Sequence, residues 1–315
     1  MVENPNLSII IPVCNEAESL DDLYLALKAV VERIPNSCEI IFVDDGSEDT
    51  SMVELERLRN ADPRVKIVQL RDNFGKAVAL SVGFENASGE IVFTMDGDLQ
   101  DDPSEIPRFL EKLEEGYDLV SGWKFVRRDP IGKTLPSRLF NRVVSLLTGI
   151  KLHDFNCGFK CYRREVIKNI RIYGELHRFI PVLARWKGFR VAEIKVAHHP
   201  RRHGVSKYGM ERFARGFLDL MTVLFLMRYL KRPLHLFGGI GLLCLMLGGG
   251  LSAYFTLQWI SGTPMHVRPL MVFGWVAMIL GIQFISMGLL GEMLIHSVHS
   301  NKKKEDPSII RRKLL

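Results

Sequence analysis

Cysteine is sparse and unpaired: Cys14, Cys38, Cys157, Cys161 and Cys244 are the only five in 315 residues. An odd count without paired spacing excludes a disulfide framework. Cys157 and Cys161 lie four apart, but no second Cys or His pair follows at a spacing that closes a zinc site. The amino terminus, Met-Val-Glu-Asn-Pro-Asn, has no basic segment leading into an apolar one and does not read as a signal peptide. No Gly-x-Gly-x-x-Gly follows the first apolar run, which removes a dinucleotide dehydrogenase. No Gly-x-x-x-x-Gly-Lys-Ser/Thr is present, which removes a P-loop.

Charge is also missing, from two stretches near the carboxyl end. Residues 234–260 and 269–291 hold no Asp, Glu, Lys or Arg. As helices they would be roughly 40 and 34 Å long, against a hydrocarbon core of about 30 Å. Residues 261–268 alone separate them, which makes an antiparallel transmembrane hairpin. Lys231 and Arg232 precede it, and Lys302, Lys303, Lys304, Arg311, Arg312 and Lys313 follow it, whereas the connecting loop has only Arg268. Cations gather on the cytoplasmic side, so both termini are expected in the cytoplasm, at the inner (cytoplasmic) membrane. The whole chain carries a net charge of +6. That excess fits nucleic acid or an anionic membrane surface, and the uncharged stretches select the membrane; no nucleic-acid partner is expected. Within 208–230, Glu211, Arg215 and Asp219 repeat every four residues while Phe213, Phe217 and Leu220 lie off that stripe. This is the pattern of an interfacial helix on the bilayer, or of an ordinary amphipathic core helix.

Before residue 200 the chain alternates strand and helix signals. Strands are expected over 7–13, 39–43, 65–70, 90–95 and 118–120, and helices over 16–34, 50–60, 76–86 and 103–115. Repeated β-α-β with apolar strands implies an α/β domain, a mostly parallel Rossmann-like sheet covered on both faces. Ligands bind such sheets at the carboxyl ends of the strands. There the sequence places Pro12-Val13-Cys14-Asn15-Glu16, Val43-Asp44-Asp45-Gly46-Ser47 and Met95-Asp96-Gly97-Asp98-Leu99-Gln100. Asp96 and Asp98, two hard oxygen donors with Gln100 as a third, suit Mg2+ or Mn2+, which in turn hold phosphate oxygens. Asp101 and Asp102 precede Pro103 and read as a helix N-cap. Asp44 and Asp45 also fit a turn before Gly46.

Taken together, IIIPVCNE, VDDGSEDT, NFGKAVAL and MDGDLQDDP resemble the family 2 glycosyltransferases of GT-A fold. The resemblance is nearer still to polyprenyl-phosphate glycosyltransferases of the dolichol-phosphate mannose synthase kind, and it covers roughly residues 7–210. The carboxyl-terminal hairpin is similar to that of the membrane-anchored bacterial branch. The resemblance implies that Pro12 and Glu16 contact the ribose and base of a nucleotide, that Asp44 and Asp45 read the base, and that Gly75 and Lys76 close over it. It makes Asp96, Asp98 and Gln100 a metal site bridging the donor diphosphate. It makes Asp154, in Asp154-Phe155-Asn156-Cys157-Gly158-Phe159, an acid near the reacting centre. Mannose synthases tend to carry Gly-x-Arg where this chain has Gly122-Trp123-Lys124. Lys124, Arg127 and Arg138 are then the candidates for the acceptor phosphate, beside a solvated basic loop as the plainer reading. Arg201-Arg202-His203-Gly204-Val205-Ser206-Lys207-Tyr208 is similar to the family's Arg-x-x-Gly-x-Ser-Lys loop, and the resemblance implies that Arg202, Ser206 and Lys207 within it touch lipid phosphate or donor diphosphate.

The expected organisation is a cytosolic GT-A domain (1–207), an interfacial helix (208–230), a two-helix hairpin (231–300) and a basic cytoplasmic tail (301–315). The expected reaction moves a hexose from a nucleotide-sugar, of UDP-glucose or GDP-mannose type, to polyprenyl phosphate by an inverting, metal-dependent displacement. The acceptor is already anionic, since a second phosphate pKa lies near ~6. It therefore needs positioning more than a strong base. Two rivals stand beside this reading. A processive polysaccharide synthase would carry Gln-x-x-Arg-Trp, but Val182 precedes Arg185-Trp186 where Gln is needed. A non-catalytic membrane scaffold would not need Asp96, Asp98, Asp154 and Lys207 together. Oligomeric state is not fixed by the sequence, and a homo-oligomer stays open.

Overall fold

Ile9, Ile10 and Ile11 alternate between the two faces of a sheet. In the computed structural model Ile9 and Ile11 join one apolar cluster and Ile10 the other. The structure describes residues 5–34, 37–125, 141–170, 176–199, 218–225, 232–262, 264 and 266–301. The chain divides into two units, Met1–Val223 and Leu224–Leu315.

Among its described residues the first unit has seven strands: β1 (Leu7–Val13), β2 (Cys38–Asp44), β3 (Val65–Gln69), β4 (Ile91–Thr94), β5 (Leu119–Lys124), β6 (Lys160–Arg163) and β7 (Val191–Val196). Its helices are α1 (Ala17–Val31), α2 (Ser51–Ala61), α3 (Lys76–Asn86), α4 (Ile106–Glu114), α5 (described over 141–148), α6 (Arg164–Asn169) and α7 (Ile180–Trp186). One sheet contains all seven strands in the order β3-β2-β1-β4-β6-β5-β7. Ile40 and Phe42 share their face with Leu23 and Leu27 of α1, Leu55 of α2 and Phe109 of α4. Ile41 and Val43 share theirs with Leu80 of α3, Val166 of α6 and Ile180 of α7. Burial on both faces is why these strands read as unbroken apolar runs.

Two expectations are refined. The helix expected over 103–115 begins as a 3-10 turn, Pro103–Glu105, and becomes α4 only at Ile106. Prolines at 103 and 107 supply no N–H for the preceding turn, so the start is short and tight. β6 and β7 had no place in the sequence pattern. β6 is four residues, Lys-Cys-Tyr-Arg, and runs antiparallel to both β4 and β5. Because it is reversed, its first residue, Lys160, lies at the same sheet edge as the carboxyl ends of the other strands; Lys160 pairs with Thr94 at the end of β4.

Residues 218–225 are helical (α8), the described part of the expected interfacial segment. In the second unit, α9 (Pro233–Ile260) and α10 (Pro269–Asn301) are long and apolar enough to cross a membrane. They pack antiparallel through glycines. A Cβ on Gly241 would lie 2.6 Å from the Gly281 carbonyl, and one on Gly248 2.4 Å from that of Gly274, so only glycine permits this backbone approach. Outward faces carry exposed Leu242, Leu247, Ile279 and Leu290.

Candidate active site

Past β1, the chain turns through Asn15 at φ 52, a left-handed conformation that Asn tolerates. Its side-chain oxygen accepts the N–H groups of Glu48 (2.7 Å) and Asp49 (3.3 Å), fastening the β1 and β2 loops together. Pro12 is half-buried at the end of β1, and Glu16 caps α1, its N–H donating to Ser51 Oγ at 3.0 Å. Asp44 is fully buried and accepts the Ser47 N–H (3.2 Å) and the Gln69 amide (3.3 Å). Asp45 accepts the N–H groups of Phe74 (2.8 Å) and Gly75 (3.0 Å). Burial raises the Asp45 carboxyl above its ordinary pKa, and those two N–H groups offset only part of the rise. Between these loops, Gly46 sits at φ 66, and a Cβ there would come within 2.5 Å of the Asp72 carbonyl carbon. Asp45 thus holds the turn that delivers Gly75 (φ 90) and Lys76 to the start of α3.

Asp96 and Asp98 follow β4. The carbonyl of Gly97 between them accepts Ser19 Oγ at 2.8 Å, tying the motif to α1. Leu99 adopts φ 60, and the tight turn lets Asp98 Oδ1 accept the Gln100 N–H at 3.2 Å. Asp98 is buried. The Asp96 carboxylate accepts Lys76 Nζ in an ion pair. Gly158 lies against the same carboxylate, where a Cβ would come 2.5 Å from Asp96 Oδ1. Only glycine lets the loop bearing Asp154 come this near. Burial alone would raise the Asp96 carboxyl; Lys76, then Lys124 and Lys160, hold it well below the usual carboxylate range.

Asp102 caps the 3-10 turn through the Ser104 N–H at 2.9 Å, as expected. Asp101 does not: its buried carboxylate pairs with Lys124 Nζ at 3.2 Å. Side-chain direction alternates along the extended stretch before the turn, so only one of two adjacent aspartates can face the helix start. Burial works against the Lys124 ammonium, but Asp101, Cys157, Asp96 and Asp154 hold its pKa above the ordinary value. Asp154 is buried and accepts the Asn156 N–H at 3.0 Å. The preceding residue, His153, stacks on Trp123 with ring centroids 4.0 Å apart and is bound by Glu193. That sandwich fixes the Asp154 loop against β5.

Lys160, singled out by no sequence pattern, completes the cluster. It is buried and donates to the Cys157 carbonyl; burial pushes its pKa down, while Cys157, Asp154 and Asp96 pull it back up. A lysine between Phe159 and Cys161, both fully enclosed, was the available signal. His177 was missed as well. Its Nδ1 is buried without a hydrogen-bond partner among the described residues. Burial, with Lys76, Arg178 and Lys160 adding to it, keeps the ring's pKa well below the ordinary histidine value. Arg127, Arg138, Arg202, Ser206 and Lys207 lie outside the described residues.

The structure therefore brings Asp96, Asp98, Gln100, Lys76, Lys124 and Asp154 to one sheet edge. Among the described residues no group of three His, Cys, Asp or Glu side chains is arranged to hold a metal ion. Two adjacent carboxylates fit a hard dication whose remaining positions are filled by substrate phosphates and water, the usual mode of Mg2+. All five cysteines are free.

Known proteins resemble this chain in sequence and in fold. The profile of glycosyl transferase family 2 matches residues 8–171. Dodecaprenyl-phosphate galacturonate synthase of Rhizobium johnstonii is 38% identical over 309 residues, covering 95% of this chain and 90% of the relative. Undecaprenyl-phosphate 4-deoxy-4-formamido-L-arabinose transferase of Pseudomonas aeruginosa (strain LESB58) is 37% identical over 292 residues, covering 91% and 84%. The solved glucosyl-3-phosphoglycerate synthase of Mycobacterium tuberculosis, bound to Mn2+ and UDP-glucose, superposes with TM-score 0.54 at 18% identity, covering 71% of this chain and 79% of that one. That likeness shows the GT-A fold. By profile and by near full-length similarity, the chain belongs to glycosyl transferase family 2 and is a glycosyltransferase.

Proposed function

We propose that the protein transfers a sugar from a nucleotide-sugar to polyprenyl phosphate at the cytoplasmic leaflet of the inner membrane, with inversion at the anomeric carbon. The observation that carries this reading is the gathering of Asp96 and Asp154 with Lys76, Lys124 and Lys160 at one strand edge, with Asp98 buried two residues beyond Asp96. Relatives named for transfer to dodecaprenyl and undecaprenyl phosphate support the acceptor class. The apolar helices α9 and α10 support membrane attachment. The proposed organisation is 1–207, 208–230, 231–300 and 301–315, with both termini cytoplasmic.

In this reading Pro12, Glu16, Asp44 and Asp45 border the nucleoside, with Asp45 also bracing the Gly75–Lys76 turn. Asp96, Asp98 and Gln100 would hold Mg2+ or Mn2+, which supplies charge compensation for the departing nucleoside diphosphate. Lys76 offers a cation at the same place. Lys124, with Arg127, Arg138, Arg202, Ser206 and Lys207, receives the acceptor phosphate. Held by Asp101, Lys124 needs little reorganisation to do so. Asp154 orients the attacking phosphate oxygen or takes its residual proton. The donor classes UDP-glucose and GDP-mannose stand beside the uronate and amino-pentose classes in the relatives' names. A panel of nucleotide-sugars assayed against undecaprenyl phosphate with the purified full chain tests the proposal. One donor giving labelled, organic-extractable lipid is expected. No transfer to the lipid from any donor contradicts it.

A further inference from the structure

Asp96, the first metal ligand in the reading above, already has a cation on it. Lys76 Nζ forms an ion pair with its Oδ1, and both side chains are only partly exposed, at 23% and 28%. The Gly158 backbone also presses against this carboxylate, leaving less room than a methyl group needs. Lys76 is not there by chance rotation of a surface side chain. It is the first residue of α3, and the turn before it is held by two N–H bonds to Asp45. The oxygen that Lys76 occupies is one a hard dication would take. An ammonium and a dication on one carboxylate oxygen repel each other, and both lose by sharing it.

We propose that Lys76 and the metal are alternative occupants of Asp96. In the nucleotide-free enzyme Lys76 neutralises Asp96. When metal and nucleotide arrive together, Nζ leaves Asp96 and turns to the incoming diphosphate, whose negative charge replaces the carboxylate as its partner. No bond is made or broken in this exchange; one ion pair replaces another. Lys76 is thereby a positioning residue that makes metal uptake depend on the nucleotide. A metal ion alone meets a competing internal cation, whereas a metal with a diphosphate brings the anion that draws Lys76 away. This inference rests on the metal site proposed above.

Mn2+ binding to the purified full chain in detergent, read by electron paramagnetic resonance of the free ion, tests it with and without UDP or GDP. Without nucleotide, Lys76→Gln is expected to bind Mn2+ roughly tenfold to a hundredfold more tightly than wild type, the worth of one charge-assisted contact. Lys76→Arg, which keeps the cation, is expected to stay near wild type, and Asp96→Asn should remove the gain from the Gln variant. Nucleotide should tighten Mn2+ binding more in wild type than in Lys76→Gln. If Lys76→Gln binds Mn2+ no better than wild type without nucleotide, while nucleotide still brings Mn2+ to wild type, the exchange is wrong and the metal site stands. If Lys76→Arg gains as much as Lys76→Gln, the exchange is also wrong. If no protein takes up Mn2+ even with UDP or GDP, both readings fall.

Discussion

Replacing Lys124 by Met keeps most of the side chain's length and removes its charge. Asp101 then loses its partner while its side chain remains fully enclosed. Breaking a buried pair from one side costs about 3–5 kcal/mol, because the remaining charge is left without water or a counter-ion. For a unit of the size of Met1–Val223 each kcal/mol moves the midpoint by about 2–4 °C, so a drop of roughly 6–20 °C is expected. Lys124→Met/Asp101→Asn removes both charges and should recover most of the loss. Thermal unfolding of the full chain in detergent reads this directly. A single variant within about 1 kcal/mol of wild type, or a double variant no more stable than the single, refutes the buried-pair reasoning.

Further outcomes are expected elsewhere. Asp98→Asn should nearly abolish turnover in a protein that still folds; full activity of that variant, or of wild type in EDTA, would end the metal role. Arg64, against burial and with help from the Tyr24 hydroxyl at 2.9 Å, holds Asp62 down to about 2. Because that pKa is depressed, its contribution of about 2 kcal/mol is complete above the ordinary value near ~3.9 and fades as pH falls; the midpoint deficit of Asp62→Asn should be smaller at pH 3 than at pH 7. Arg202→Ala and Lys207→Ala should each slow transfer by about tenfold or more, the worth of one charged contact to phosphate. That loss should persist with a short, water-soluble prenyl phosphate and no bilayer, and its disappearance there would reduce both residues to general membrane attraction.

The first half of the sheet was legible because each strand buries two faces. Such strands give runs like Ile9-Ile10-Ile11, and each run ends where an Asn, Asp or Gly turn begins. The motif residues at those ends were legible for the same reason. β6 was not. It carries a lysine and an arginine in four residues, and its reversed direction comes from pairing with β4 and β5, which no local pattern encodes. Lys160 was hidden with it. Asp101 was misplaced because two adjacent aspartates before a proline satisfy the same capping pattern, and only the position of Lys124 across the sheet edge separates them. Asp44 and Asp45 read equally as turn formers and as base contacts, and both hold backbone or side-chain donors in the loops they occupy. The glycine contacts of α9 and α10 were invisible to a reading of charge and length, since they depend on which helix faces meet.

The central claim is transfer of a sugar to a polyprenyl phosphate. Membranes containing the full chain, given a panel of radiolabelled nucleotide-sugars and undecaprenyl phosphate, should move label from at least one donor into organic-extractable lipid. Asp96→Asn and Asp154→Asn membranes should not. Label appearing in polymer would indicate a processive synthase, and label appearing in neither fraction would indicate a non-catalytic scaffold; either result contradicts the account.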